Sequence, residues 1–236
     1  MRVLVTRPRP AAERTALKLE AMGHQPVVLP LMQAQHFVAA VRAGFDRPHE
    51  AIAVTSAEAV RVLAGLGPAL QPHLATALFA VGAATAGAAT DLGFTDVRVG
   101  AGTGEALAET VAGFFGPETG SLLYFAGLPR ADGFEHALRQ RAIDHVTVEC
   151  YRMIPLDHPP ETRATLTRSG PFDAVLLYSR ETARRLAALM RESGVDCADF
   201  SGRYLCLSDS VKEALPAGAP AEVAIAPDEA SLLDLL

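Results

Sequence analysis

The sequence predicts an α/β protein made from one pattern used twice, as two similar domains with parallel five-stranded sheets. Three observations predict it. Short β-branched apolar runs alternate with Ala/Leu-rich stretches along all 236 residues, and strict alternation gives parallel sheets with helices on both faces. Each run is nearly continuous in apolar residues, as a strand buried on both faces must be. The first five runs also resemble the second five, segment by segment. The length suits two domains of roughly 100–150 residues each.

Strands are predicted at residues 2–6, 26–29, 51–55, 77–81 and 96–99, and again at 121–125, 145–150, 173–178, 203–207 and 222–226. Helices with recognisable ends lie between them. The first should stop at Gly23, and the helix before the fifth strand at Gly93, because glycine takes the left-handed turn that closes a helix. Thr55-x-x-Glu58 and Asp132-x-x-Glu135 have capping-box spacing. Thr103 precedes a helix whose Leu107, Val111 and Phe114 share one face. Ala183, Leu186, Ala187 and Met190 fall at i, i+3, i+4 and i+7, a single buried stripe.

The two sets match in order. Val3-Leu4-Val5-Thr6-Arg7-Pro8 and the later Gly23-His24 correspond to Leu122 through Arg130 and the later Asp144-His145. Ala51-Ile52-Ala53-Val54-Thr55-Ser56 corresponds to the stretch from Asp173 to Ser179. Ala80-Val81-Gly82-Ala83-Ala84-Thr85 corresponds to Leu205-Cys206-Leu207-Ser208-Asp209-Ser210.

Composition excludes several classes. Half the residues are hydrophobic and 20% are charged, which allows a large core and argues against disorder. No apolar run approaches the ~20 residues of a membrane span. The N-terminus turns polar after four residues, too soon for a signal peptide, so a cytoplasmic protein is expected. Cys150, Cys197 and Cys206 have neither metal-ligand nor disulfide spacing and read as small buried hydrophobes. A net charge of −6 without a basic run argues against nucleic acid. An anionic ligand would have to be held by local donors against that mean field.

In an open parallel sheet, ligands bind beyond the carboxyl ends of the strands. Small or hydroxyl residues leave the predicted strands there: Thr6 and Arg7, Thr55 and Ser56, Gly82 and Thr85, Gly127 and Arg130, Tyr178 and Ser179, Ser208 and Ser210. Each group runs into a helix N-terminus, where free N–H groups and the dipole favour an anion. Serine and threonine at such places also serve as ordinary N-caps, but capping does not explain the adjacent Arg7, Arg130 and Arg180. Gly100-Ala101-Gly102-Thr103-Gly104 follows the fifth strand and lacks dinucleotide spacing, so it reads as a turn before a helix. The seven histidines show no helical metal pair, and neither Ser56 nor Ser179 sits in a nucleophile elbow.

At these segments the sequence resembles the uroporphyrinogen-III synthase family. The residues that carry the resemblance are Val5-Thr6-Arg7-Pro8, Gly23-His24 onward to Pro30-Leu31, Val54-Thr55-Ser56-Ala57-x-Ala59-Val60 and Ala80-Val81-Gly82-x-x-Thr85-Ala86. Further on they are Tyr124-Phe125-Ala126-Gly127, Val148-x-x-Tyr151-Arg152 and Leu177-Tyr178-Ser179. Their order spans nearly the whole chain. The resemblance implies two flavodoxin-like domains joined by two extended connectors, with the active site in the interdomain cleft. Residues 1–33 with 155–236 would form the first domain, residues 36–150 the inserted second, and residues 32–38 and 152–156 the connectors.

The activity implied is cyclisation of hydroxymethylbilane, a polycarboxylate linear tetrapyrrole, with inversion of ring D, giving uroporphyrinogen III and water. No cofactor and no metal would be needed. Loss of the terminal hydroxyl gives an azafulvene-type cation, the far ring attacks to give a spiro intermediate, and this fragments and recloses inverted. Uncatalysed closure gives the uninverted isomer, so constraining geometry matters more than strong acid–base groups. Tyr151 matches the family's cleft tyrosine and would hydrogen-bond the leaving hydroxyl. Thr85 matches the threonine of a Gly-x-x-Thr loop. The second copy of that loop departs from the pattern: Leu207 replaces glycine, and Asp209 adds an anion. The family, and the lack of an obvious interface signal, lead us to expect a monomer with neither membrane nor nucleic-acid partners. Two alternatives are a non-catalytic module binding a small anion or tetrapyrrole, and a receiver or flavodoxin-like signalling domain. The latter fails because Thr6-Arg7-Pro8-Arg9-Pro10 offers neither acidic residues nor a phosphate loop.

Overall fold

In chain order the elements are β1 (Arg2–Val5), α1 (Arg9–Ala21), β2 (Gln25–Val28), β3 (Met32–His36), α2 (Val38–Phe45), β4 (Ala51–Val54), α3 (Ala57–Ala64), β5 (Ala77–Ala80), α4 (Ala83–Leu92) and β6 (Val97–Val99). There follow α5 (Gly104–Ala112), β7 (Leu122–Leu128), α6 (Gly133–Gln140), β8 (His145–Pro155), β9 (Ala174–Leu177), α7 (Arg180–Glu192), β10 (Arg203–Cys206), α8 (Asp209–Lys212), β11 (Ala221–Val223) and α9 (Glu229–Leu233). This computed structural model describes residues 1–116, 120–159 and 172–236. Among them the chain divides into two units, Met1–Gln33 with Ile154–Leu236, and Ala34–Met153.

The first unit has a five-stranded sheet in the order β11-β10-β9-β1-β2, with every neighbouring pair parallel. The second has six strands in the order β3-β8-β7-β4-β5-β6. Its last five are parallel throughout. Those five repeat the first sheet position for position: β8, β7, β4, β5 and β6 stand where β2, β1, β9, β10 and β11 stand. The segment matches seen in the sequence are therefore matches of sheet position.

The sixth strand corrects an expectation of two five-stranded sheets. Of residues 32–38, expected as a bare connector, Met32–His36 form β3 beside β8 at the sheet edge, Val38 opens α2, and the Phe37 N–H donates to the Cys150 carbonyl at 2.8 Å. Extended backbone needs partners for its N–H and C=O groups, and an open edge supplies them. Most of the second expected connector is absorbed by the long β8 for the same reason.

Helix ends follow local chemistry. Gly23 (φ 80°) and Gly93 (φ 109°) take left-handed conformations after α1 and α4. Ser56, Thr103 and Ser179 cap α3, α5 and α7, accepting the N–H groups of Ala59, Ala106 and Thr182. Neither predicted capping box forms. Ser56 is the cap in place of Thr55, and Glu58 turns to His36 (2.6 Å) and Arg61. Asp132 is already helical and makes no cap bond, while Glu135 bonds Arg130 and Thr147. In both cases a charged or hydroxyl partner outcompetes the backbone amide.

Each sheet is buried on both faces. In the second unit, α2, α3 and α4 cover one face through Val41, Val60 and Ala86, and α5 and α6 cover the other through Leu107 and Phe134. In the first unit α7 and α8 pack on one face and α1 and α9 on the other. The predicted stripe of Ala183, Leu186, Ala187 and Met190 is buried. All three cysteines are free and buried, and burial pushes the Cys150 thiol up to about 12, so it packs as a hydrophobe.

Candidate functional site

Helices change face between β7 and β4, because α6 leaves β7 on one side and α3 leaves β4 on the other. Such a reversal opens a crevice at the carboxyl ends of the strands. A cavity of about 320 Å³ lies there, wholly within the second unit. Thr55 and Ser56 after β4, Tyr124 and Gly127 on β7, Arg130 after it and Tyr151 on β8 line it. Phe134 and Glu105, from the starts of α6 and α5, also border it.

Two tyrosines each meet a hydroxyl at the end of β4. The Tyr124 and Thr55 hydroxyls are 2.8 Å apart, and those of Tyr151 and Ser56 are 2.9 Å apart. Burial raises the pKa of both phenols, and the bonds to Thr55 and Ser56 offset part of that rise. Both therefore stay protonated at neutral pH and can donate. Tyr151 reaches the cavity because of a bulge: Ala126 pairs with Glu149 but Gly127 pairs with Tyr151, leaving Cys150 unmatched. Its ring lies against Gly127, where an added Cβ would be 2.1 Å from the ring carbon bearing the hydroxyl. Glycine at 127 is thus a packing requirement of Tyr151.

The cavity's cation is already engaged. Arg130 donates to Glu135 at 3.0 Å and to Glu149 at 3.2 Å, and hydrogen bonding to Glu135 is the chief reason its pKa is raised. Burial lifts the Glu135 carboxyl, but bonds from Arg130 and Thr147 outweigh it and hold the group below the ordinary range. What the cavity offers a ligand is mainly hydroxyls.

The corresponding place in the first unit is filled from within. Arg7, after β1, donates to Glu229 of α9 at 2.7 Å and stacks 4.0 Å over the Tyr178 ring. Thr15 (2.6 Å), Tyr178 (3.0 Å) and Lys18 bind the same carboxylate. Burial would raise Glu229, but these donors together bring it down to about 2. Thr6 is wholly buried and donates to the Leu176 carbonyl at 2.8 Å, so its hydroxyl ties β1 to β9.

The structure brings Thr55, Ser56, Gly127, Arg130 and Tyr151 together around one cavity. Thr85 is buried in the first turn of α4 and Gly82 is its N-cap; neither lines that cavity. Ser179 is a cap that also bonds the Thr182 hydroxyl, and Ser208 and Ser210 bond each other at 3.1 Å. Arg180 makes no ion pair among the described residues. Tyr124, Glu105, Glu135 and Phe134 were not singled out as site residues in the sequence. Tyr124 lies inside an apolar strand run, and a polar tip there was the available signal. Among the described residues, no group of three or more His, Cys, Asp or Glu is placed to hold a metal, and no helix is long and apolar enough to cross a membrane.

A family model described as uroporphyrinogen-III synthase HemD matches residues 13–235. The structure is similar to that of uroporphyrinogen-III synthetase from Helicobacter pylori, with a TM-score of 0.68 at 16% identity, covering 100% of this chain and 98% of that one. It is also similar to a mutant uroporphyrinogen III synthase from Thermus thermophilus, with a TM-score of 0.56 at 21% identity and coverage of 99% and 96%. Comparison with curated proteins gives no significant match. At these identities the structural likeness is a likeness of fold.

Proposed function

The chain belongs to the uroporphyrinogen-III synthase family, and we propose from that premise that the cavity of the second unit receives the reacting end of hydroxymethylbilane. The chain is a lyase of tetrapyrrole biosynthesis that closes the linear tetrapyrrole with inversion of its last ring, giving uroporphyrinogen III and water. In our reading both units are flavodoxin-like, and a single substrate molecule is bound by strand-end loops. The enzyme works as a cytoplasmic monomer without nucleic acid, membrane or cofactor.

The observation that carries the placement is the pairing of Tyr151 with Ser56 beside that of Tyr124 with Thr55, all four lining one cavity. Departure of the terminal hydroxyl as water needs a donor at the leaving oxygen. A phenol held protonated by burial, at the mouth of a strand-end crevice, can provide it. Closure in the inverted sense then depends on holding the chain in one geometry, which converging hydroxyls at fixed positions can do. The remaining strand-end groups, Gly82 and Thr85 in one unit and Ser179, Ser208 and Ser210 in the other, are assigned to the substrate's carboxylate-bearing arms, whereas Arg7 and Tyr178 are held by Glu229. Thr6 lies beneath them as a structural residue that ties β1 to β9.

Steady-state kinetics of Tyr151→Phe test this reading. Turnover should fall by about 100-fold or more, the loss expected for one general-acid contact, with the unfolding temperature lowered by only ~2–4 °C through loss of the bond to Ser56. Turnover equal to that of the unmodified enzyme would remove Tyr151 from the chemistry.

A further inference from the structure

We propose that Ser56 is a positioning residue: the serine that caps α3 also turns the phenolic proton of Tyr151 into the cavity. The inference rests on the reading that Tyr151 donates to the leaving oxygen, and it adds where that donor gets its direction.

Hydrogen-bond valences decide the direction of the bond. A hydroxyl has one proton and two lone pairs, and so has a phenol. The Ser56 oxygen accepts the Ala59 N–H at 3.1 Å and lies 2.9 Å from the Tyr151 oxygen. Either hydroxyl could donate across that gap. If Tyr151 donates, Ser56 becomes a double acceptor, its own proton has no protein acceptor among the described residues, and Tyr151 presents only lone pairs to the cavity. If Ser56 donates, the bonds run head to tail from the Ala59 N–H through Ser56 and Tyr151 to a ligand oxygen. Each link then polarises the next. The chain starts at the positive end of α3, where free N–H groups and the dipole pull electron density toward the helix. A ligand oxygen in the cavity selects this second arrangement, because it supplies the acceptor the phenolic proton needs.

The local build supports a fixed pair. Ser56 sits at the end of β4 with φ −155° and ψ 149°, so strand and helix both hold its backbone. Gly127 lets the Tyr151 ring lie close enough for the bond. Ser179 occupies the corresponding place in the first unit, caps α7 in the same way and bonds the Thr182 hydroxyl; among the described residues no tyrosine hydroxyl bonds it, that of the adjacent Tyr178 going to Glu229. Capping alone therefore needs no such partner.

The test separates capping from proton direction. Ser56→Asp keeps an excellent N-cap but brings an acceptor with no proton. The carboxylate takes both the Ala59 N–H and the Tyr151 proton, which is lost to the cavity. Ser56→Thr keeps both cap and donor, and Ser56→Ala removes both. We expect Ser56→Asp to unfold at or above the temperature of the unmodified enzyme, with kcat down on the order of tenfold or more. Ser56→Ala should lose both stability and several-fold in kcat, and Ser56→Thr should recover most of what Ser56→Ala loses. In the Tyr151→Phe background, Ser56→Asp should cost no further turnover. A well-folded Ser56→Asp enzyme with kcat within twofold of normal, or one whose only change is a raised KM, overturns the proposal while leaving Tyr151 in place. Undiminished turnover in Tyr151→Phe overturns the reading of Tyr151 and the relay with it.

Discussion

Gly127→Ala should cripple turnover while sparing most of the fold. The added Cβ would lie 2.1 Å from the Tyr151 ring carbon that carries the hydroxyl, and 2.4 Å from the hydroxyl oxygen. Carbon atoms in contact sit ~3.5–4 Å apart, so the ring tip must retreat by roughly 1.5 Å. The atoms struck belong to the far end of a side chain, and the ring can give way by leaving its rotamer at ~0.5–1.5 kcal/mol. Breaking the 2.9 Å bond to Ser56 adds about 1 kcal/mol. The stability loss should thus be about 1.5–2.5 kcal/mol, and the chain should remain folded. Catalysis suffers more, because displacing a reacting group by about 1 Å can cost ~100-fold. Thermal unfolding and steady-state turnover of hydroxymethylbilane would be measured side by side for Gly127→Ala, Tyr151→Phe and the double variant. Because both changes act on the same phenol, the double variant should turn over no more slowly than the worse single one. Normal kcat in Gly127→Ala, or a double variant showing the product of the two losses, would refute the packing argument.

Further outcomes follow from the charged and buried groups. Glu229 is held at about 2 against an ordinary 4.5, so its contribution to stability is complete above pH 4.5 and fades as pH falls toward 2. The shift corresponds to at most about 3 kcal/mol, which screening at a partly exposed site reduces to ~1–2 kcal/mol; Glu229→Gln should flatten acid unfolding curves in that window. Arg130→Ala leaves Glu135 and Glu149 without their cation, so the KM for the polycarboxylate substrate should rise, and more steeply at low salt; a KM insensitive to both would return Arg130 to a structural role. Thr6→Val should cost about 1 kcal/mol in denaturant unfolding through loss of the bond to Leu176, with kcat and KM unchanged.

The duplication was legible because strand burial writes itself into sequence. Runs such as Ala51-Ile52-Ala53-Val54 and Ala174-Val175-Leu176-Leu177 are apolar at every position, and each occupies the third place in its sheet, counted from β8 or β2. The edge strand β3 was not legible, since Met-Gln-Ala-Gln-His lacks an apolar run and its pairing depends on a distant β8. The hydroxyls at the end of β4 could be read as site candidates from their position alone. Their pairing with Tyr124 and Tyr151 could not, because both tyrosines arrive from other strands and Tyr151, named from the family resemblance, reaches the cavity only through a one-residue bulge. Arg7 shows the opposite failure. A cation at a strand end suggested an anionic ligand, yet Glu229, far away in sequence, already sits on it.

The most direct test of the central claim is the product itself. Purified protein would be mixed with freshly prepared hydroxymethylbilane, the products oxidised, and the porphyrin isomers separated by chromatography beside a protein-free control. Isomer III should predominate and form faster than the control closes. Isomer I at the control rate, from protein shown to be folded, would contradict it.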